Sequence, residues 1–499
     1  MACRTPIRQI VTQASRKACI DHIGSHKFVS RGCAAAGLFR KHISVRNTDY
    51  NQRLYGTEAV TAVGRWYGTS AVAASSAAAP QTAHDGPTVT DGPTVTDGPA
   101  VTNGPAVTKD GPTVTKARVD TNTDLLHTEW AGGPEERFPI VWLRDNCRCS
   151  ACFHGSAVAR LVVLQKLDTE VSVELVQTHN GDVTINWSDG HQSTFTSQWL
   201  HERRFTQEAR DQLSQWSPKK PVTWNRGDMQ SNIPTDTFDN IISDDHALYN
   251  WLCTMEEKGI FMIKDAPCHS DKNKLSVREI GKRVAFLKTT NYGINFTVKA
   301  KLQASNAAYT DATLGLHTDL PYYQYCPGVQ MLSCLKQVPT RGGENQLADG
   351  FYAAELMRAQ HPEEFRILST TPTRFVDVGT DYYEYHKLFS PPVITVADDG
   401  SIQRVTYNDM VRDSTMPIPV EQVTPFYRAL KLFNTILYDN CVKLKLTEGD
   451  IICFHNYRVL HGRTGFEVLS DGERHLEGGY IDWDEMYSKR RVLQRKLGL

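Results

Sequence analysis

Between Tyr67 and Trp130 the chain carries no aromatic residue, and from Asp85 a six-residue unit recurs through that gap. The copies run Asp85–Thr90, Asp91–Thr96, Asp97–Thr102, Asn103–Thr108 and, after Lys109, Asp110–Thr115, each reading Asp/Asn-Gly-Pro-Thr/Ala-Val-Thr. Gly and Pro interrupt helix and strand ladders alike, and a single Val per unit cannot bury enough apolar area to offset chain entropy. A hexapeptide β-helix would need more and bulkier apolar repeats than these. Residues 71–130 therefore read as a low-complexity linker, and the fold has to be made by the residues C-terminal to it.

The segment N-terminal to the linker does not supply a core either. From Met1 to Arg46 nine Lys or Arg stand against one acid, Asp21, among Ser, Ala and Ile. That is a transit-peptide composition, so residues 1–70 read as a mitochondrial presequence and disordered lead, with a cytoplasmic location as the alternative. The whole chain is nearly neutral, with 55 Lys and Arg against 56 Asp and Glu, which argues against a nucleic-acid binder. No apolar run reaches the roughly 18 residues that span a bilayer. Twelve cysteines in 499 residues are too dilute for a disulfide scaffold.

After the linker, two units are expected. Residues 131–220 alternate like strands (Ala159–Leu167, Val171–Leu175, Val183–Trp187), with folded sequence starting near Arg137 and a helical end at Trp199–Trp216. Residues 235–499 mix helices (Asp245–Lys258, Val277–Leu287, Gly350–Leu368, Val420–Asn440) with short strands (Gln330–Gln337, Val393–Val396, Asp450–Phe454). Strands at irregular spacing with helices inserted suggest a mainly β sandwich or barrel rather than repeated βαβ units.

Two clusters carry chemistry. Cys147-Arg-Cys149-Ser-Ala-Cys152 offers three thiolates to one tetrahedral ion, and Zn(II) needs a fourth ligand. His154 is awkward on so tight a loop; His191, after a strand and the Ser-Asp-Gly turn, can fold back. A closed set of that kind is structural, the alternative being free or redox cysteines. In Leu316-His317-Thr-Asp319, the i, i+2 spacing at the end of an extended segment turns an imidazole and a carboxylate to one face. A third ligand, for which His461 in Val459-Leu-His-Gly-Arg463 is the candidate, would complete the facial triad of a non-haem Fe(II) site. Arg474 comes after a turn at Leu469–Glu473, and an antiparallel return would set its guanidinium beside the metal, able to pair with the distal carboxylate of 2-oxoglutarate.

From Trp142-Leu-Arg-Asp-Asn-Cys147 to Arg474-His-Leu-Glu-Gly-Gly-Tyr480-Ile-Asp-Trp-Asp484, the chain resembles the γ-butyrobetaine/trimethyllysine hydroxylase family of Fe(II)/2-oxoglutarate oxygenases. The resemblance implies a double-stranded β-helix (jelly-roll) catalytic domain with inserted helices and a small zinc-binding β-rich N-terminal domain. It implies Fe(II) on His317, Asp319 and His461, 2-oxoglutarate on Arg474 with O2 as the other cosubstrate, ascorbate as reductant, and zinc on Cys147, Cys149, Cys152 and His191. It also implies an aromatic cage for a trimethylammonium substrate at Tyr292, Phe296, Tyr309 and Tyr480, with Asn306 and Asn408 at the substrate's carboxylate end. Two positions depart from the family: Phe296 stands where γ-butyrobetaine enzymes carry Trp, and Asn345 where relatives often carry a hydroxyl, so its role stays open. The activity implied is hydroxylation of γ-butyrobetaine to L-carnitine; the alternatives are trimethyllysine hydroxylation or an inactive betaine-binding homologue. The neutral amides Asn306 and Asn408 suit a lone carboxylate and give the α-ammonium of trimethyllysine no anionic partner. The partners implied are a small molecule and, as an assembly to test, a homodimer.

Overall fold

The computed structural model describes residues 111–499 apart from 270, 272–273, 300–311, 340 and 467–473. The basic N-terminal segment, all but the last copy of the repeat, and Asn306 and Tyr309 lie outside the described residues.

Ile260–Lys264, Val329–Lys336 and Ile451–His455 are nearly continuous apolar strands because both of their faces are covered. Successive side chains point to opposite sides. Phe261, Ile263, Met331, Ile451 and Cys453 enter one core with Trp251, Ile280 and Met486, which belong to helices Asp245–Glu257, Ser276–Val284 and Trp483–Leu497. Ile260, Met262, Leu332, Ile452 and Phe454 enter another core with Leu347, Val442 and Val459 of a second sheet. Two sheets thus pack face to face, with helices outside.

The first sheet holds six strands in the spatial order Asn295–Lys299, His475–Ile481, Val329–Lys336, Ile451–His455, Ile260–Lys264, Thr235–Thr237. The second holds four: Leu314–His317, Val459–Arg463, Asn345–Asp349, Val442–Leu444. All pairs are antiparallel except the Thr235–Thr237 edge. From Leu314 to Ile481 the chain passes back and forth between the sheets, so spatial neighbours come from distant sequence. The outer face of the second sheet is covered by helices Gly350–Gln360, Pro362–Thr370 and Val420–Asp439. The single helix expected over Gly350–Leu368 is two, because Pro362 cannot donate to the preceding turn and starts a new helix instead.

The N-terminal unit begins earlier than the repeat pattern suggests. Val114–Asp120 and Leu125–Trp130, expected in the linker, are paired strands, extended into a three-stranded sheet by Glu136–Pro139. Val114 is the last repeat's valine, buried opposite Trp130, and Leu126 and Phe138 join it in a core with Ile185, Trp187 and Phe195. A repeat suited to solvent becomes a strand once a partner with alternating Leu126, Thr128 and Trp130 comes after it. A second sheet joins Val173–His179, Asp182–Trp187 and Gln192–Phe195. The strand expected over Ala159–Leu167 is not formed: only Ala159–Arg160 pair, Leu164–Lys166 make a single helical turn, and Val163 and Leu164 are exposed. The helical end is two short helices, Ser197–Glu202 and Gln207–Ser214.

The segment that leads from this unit is fastened by two buried ion pairs. Arg490 binds Glu256 at 2.6 Å and donates to the Ser217 carbonyl at 2.8 Å. Arg458 binds Asp349 at 2.7 Å and donates to Val222 O at 2.6 Å, while Asp349 also accepts from Trp224 N at 3.0 Å. Each buried charge therefore has its partner, which is the condition for tolerating it.

Candidate metal centres and substrate cavity

His317 is the last residue of its strand, and the register pairs it with His461 on the neighbouring strand, the two rings 4.1 Å apart between centroids. His317 Nδ1 lies 2.8 Å from Gly315 O, so that nitrogen donates and Nε2 faces the centre. Asp319 sits just past the strand end. Its backbone is clamped by Asn456, whose Oδ1 accepts from Asp319 N at 2.7 Å and whose Nδ2 donates to Asp319 O at 3.0 Å. Asp319 Oδ1 lies 3.2 Å from His317 Nε2 and 3.7 Å from His461 Nε2. The three donor atoms fall within 4.8 Å of one another.

Burial opposes ionisation of Asp319, yet His461 and His317 outweigh it and hold the carboxyl well below its ordinary range. Burial, then the nearby His317, pulls His461 down to about 3, so its imidazole is neutral and free to ligate. One carboxylate and two imidazoles are the donor set of a non-haem divalent iron centre.

Arg474 does not arrive by the expected antiparallel return. His461 lies in the four-stranded sheet, whereas Arg474 directly precedes His475–Ile481 in the six-stranded one. Arg474 reaches Asn345, on the strand beside that of His461, from the opposite sheet. Arg474 Nη2 lies 3.5 Å from Asn345 Oδ1, and Asn345 is registered opposite Arg463. Burial, then the like charge of Arg463, draws the Arg474 guanidinium down to about 10. Arg474 Nε and Asn345 Nδ2 are buried without hydrogen-bond partners among the described residues. Two unsatisfied donors, one of them on a guanidinium that faces the like charge of Arg463, make a place that suits an anion.

The iron-type cluster opens onto a cavity of about 520 Å³. Tyr292, Phe296 and Tyr480 form an aromatic wall, with ring centroids 6.1 Å (Tyr292 to Phe296) and 5.1 Å (Phe296 to Tyr480) apart. Gly478 makes room for this wall, since a Cβ there would meet Phe296 Cζ at 2.2 Å. The Tyr480 hydroxyl donates to Asp319 Oδ2 at 2.6 Å, and burial, then that carboxylate, keeps the phenol well above its ordinary pKa. Asn408 also lines the cavity, its Oδ1 accepting from Met410 N at 3.0 Å.

Sequence reasoning missed other residues of the lining. Tyr322 and, from the hairpin of Phe375–Gly379 with Tyr385–Phe389, Asp377, Asp381 and Tyr385 line the same cavity. The Tyr385 hydroxyl lies 2.9 Å from Asp381 Oδ2 and 3.2 Å from Asp377 Oδ2. Two carboxylates, Asp377 and Asp381, thus line the same cavity as Asn408. The only available signal was a run of acids and tyrosines, Asp377 to Tyr385, which a surface hairpin would show equally.

In the N-terminal unit His191 Nε2 lies 3.2 Å from Cys147 Sγ and 3.5 Å from the sulfurs of Cys149 and Cys152. The turn is built by Gly190 at φ 76° and by Asp189, which accepts from His191 N at 3.0 Å and pairs with Arg144 at 2.8 Å. His154 is not in the cluster; its Nδ1 accepts from Ala157 N at 3.1 Å. Burial, then the neighbouring Cys147, pushes the Cys152 thiol up to about 11.

A sandwich that gathers two imidazoles and a carboxylate beside an aromatic-walled cavity defines a mononuclear non-haem oxygenase class. Residues 225–480 match the taurine catabolism dioxygenase TauD, TfdA family, and residues 117–201 match the gamma-butyrobetaine hydroxylase-like N-terminal family. The chain is 36% identical over 387 residues to gamma-butyrobetaine dioxygenase of Homo sapiens, covering 77% of this chain and 98% of that one. It is 30% identical over 371 residues to the gamma-butyrobetaine dioxygenase of Pseudomonas sp. (strain AK-1), covering 73% and 93%. To the mitochondrial trimethyllysine dioxygenase of Gallus gallus it is 27% identical over 363 residues, covering 72% and 83%. The chain belongs to the γ-butyrobetaine dioxygenase family, within the larger TauD/TfdA group.

Proposed function

We propose that the protein hydroxylates γ-butyrobetaine to L-carnitine, consuming 2-oxoglutarate and O2, with Fe(II) held by His317, Asp319 and His461. The observation that carries this is the opening of that donor set onto a cavity with an aromatic wall. Iron, when bound, supplies coupled oxidative decarboxylation of 2-oxoglutarate to succinate and CO2 and oxygenation of an unactivated C–H bond. The chain's own part is placement. A quaternary ammonium cannot donate a hydrogen bond, so Tyr292, Phe296 and Tyr480 bind it through their π faces, with Tyr309 as a further cage residue. Asn408, with Asn306, serves the carboxylate end. Arg474 and Asn345 hold the distal carboxylate of 2-oxoglutarate, matching the unsatisfied donors there.

The alternation of strands between the two sheets supports a double-stranded β-helix catalytic domain. Zinc on Cys147, Cys149, Cys152 and His191 fits the sulfur-rich donor set and serves as a staple for a unit with a thin core. Ascorbate keeps the iron ferrous, and the basic N-terminal composition favours a mitochondrial address. Among the described residues no helix is long and apolar enough to cross a membrane. One observation favours trimethyllysine as a second reading: Asp377 and Asp381 could partner its α-ammonium group.

Purified protein incubated with Fe(II), ascorbate and 2-oxoglutarate, with each compound alone and both in competition, decides between them. Succinate and hydroxylated product should form preferentially with γ-butyrobetaine. Equal or faster hydroxylation of trimethyllysine would transfer the assignment to the second reading, and absence of turnover with either would leave a betaine-binding homologue.

A further inference from the structure

The two oxygens of Asp319 have separate partners. Oδ1 faces the Nε2 atoms of His317 and His461 at 3.2 and 3.7 Å, whereas Oδ2 accepts the Tyr480 hydroxyl at 2.6 Å. Tyr480 comes from the other sheet of the sandwich, 161 residues further along the chain, where it is registered opposite Gln330 and 1% exposed. Its ring stacks on Phe296 at an interplanar angle of 28°, so the phenol cannot swing away without breaking the aromatic wall. Asn456 fixes the Asp319 backbone at both its N–H and its C=O. The carboxylate is therefore held at its main chain and at one oxygen, and only the other oxygen is presented to the donor cluster.

We propose that Tyr480, beyond its place in the cage, is a positioning residue that restricts Asp319 to a single metal-binding oxygen and ties that restriction to the substrate wall. This rests on the iron reading given above. A carboxylate free to turn can offer both oxygens to a cation, occupying one of the three positions that 2-oxoglutarate and O2 require. A hydrogen bond to the second oxygen prevents this and orients the first. Because the same side chain forms part of the cage, a substrate cation pressed against the ring bears on the group that holds the ligand.

The test is Tyr480→Phe, which keeps the ring and removes the hydroxyl, studied in the full chain. Fe(II) affinity is measured anaerobically by chelator competition, and succinate is compared with hydroxylated product. The optical spectrum of the Co(II)-loaded protein reports coordination. The expected result is Fe(II) affinity weakened by about tenfold, in keeping with other groups that orient metal ligands. The ratio of succinate to hydroxylated product should rise above that of the wild type, the cobalt bands should change, and the betaine KM should change far less than the metal affinity. Unchanged metal affinity, stoichiometry and cobalt bands would overturn the proposal. So would a rise in betaine KM alone, which would make the hydroxyl merely part of the cage. Should the variant not fold, a ring-fluorinated tyrosine at position 480 preserves shape and alters hydroxyl acidity, and an unshifted cobalt spectrum would then be decisive against it. If the wild type itself binds no Fe(II), the iron reading fails first and separately.

Discussion

The two candidate metal clusters differ in where their ligands come from and in what surrounds them. Cys147, Cys149 and Cys152 share one loop and meet His191 from only 44 residues away, giving four donors closed on one another. His317 and Asp319 meet His461 across a strand pair from a distant part of the chain, giving three donors at the edge of a 520 Å³ space. Four local donors can fold a small unit around an ion, and three on a large scaffold leave room for chemistry. On the reading proposed above the difference is one of purpose: the first cluster would use an ion to hold protein, and the second would use protein to hold an ion.

That contrast fails most visibly if His461→Ala retains turnover. Loss of one ligand should reduce product formation by at least about a thousandfold, on the scale seen when a group acting as part of a catalytic unit is removed. The melting temperature should hardly move, because two sheets and their helices remain. Normal substrate-dependent succinate formation by the variant would remove His461 from the set.

Cys149→Ser tests the other side. Zinc content, measured by metal analysis, and melting temperature should fall together, because metal-binding energy in a small unit is folding energy. In the wild type, brief chelation should abolish activity reversibly on re-addition of Fe(II) while zinc stays bound. A variant that lost zinc yet melted and turned over normally would make the cysteine cluster incidental.

Arg474→Leu sharpens the comparison within the reactive site. A charge-assisted pair contributes about 1.5–3 kcal/mol, so the KM for 2-oxoglutarate should rise roughly tenfold to a hundredfold. The betaine KM should change little, the aromatic wall being untouched. Equal effects on both would indicate general misfolding. Smallest of all, Phe296→Trp should tighten betaine binding by about twofold to fivefold, since Trp is the better cation–π partner by roughly 0.5–1 kcal/mol. Binding to the Fe(II)-free protein, measured by calorimetry, separates that gain from any change in turnover.

Legibility divides along the same line. The thiol loop can be read as a metal site because its donors are adjacent in sequence, and His-x-Asp at a strand end because strand periodicity puts both side chains on one face. Long apolar runs such as Ile260–Ile263 and Ile451–Phe454 mark buried strands, though not that alternate residues feed two different cores. Val114 escapes such reading, since a valine in a solvent-type repeat acquires its meaning only from a later strand. The route of Arg474 escapes it for a similar reason: a turn in sequence does not say whether the chain returns beside its predecessor or crosses to the facing sheet.

The sequence by itself determined the donor types, their spacing where they are local, and the helical periods, because each depends on side-chain chemistry or on backbone geometry within a few residues. Only the tertiary structure decided that His317 faces His461, that Arg474 finds Asn345, that Tyr480 grips the second oxygen of Asp319, and that Asp377 and Asp381 look into the substrate cavity. Those contacts depend on which strands alternate between the two sheets and in what register. Such long-range pairings are stabilised by two-sided burial of apolar strands whose hydrophobicity is nearly uniform, and a uniform strand does not record which neighbour it has.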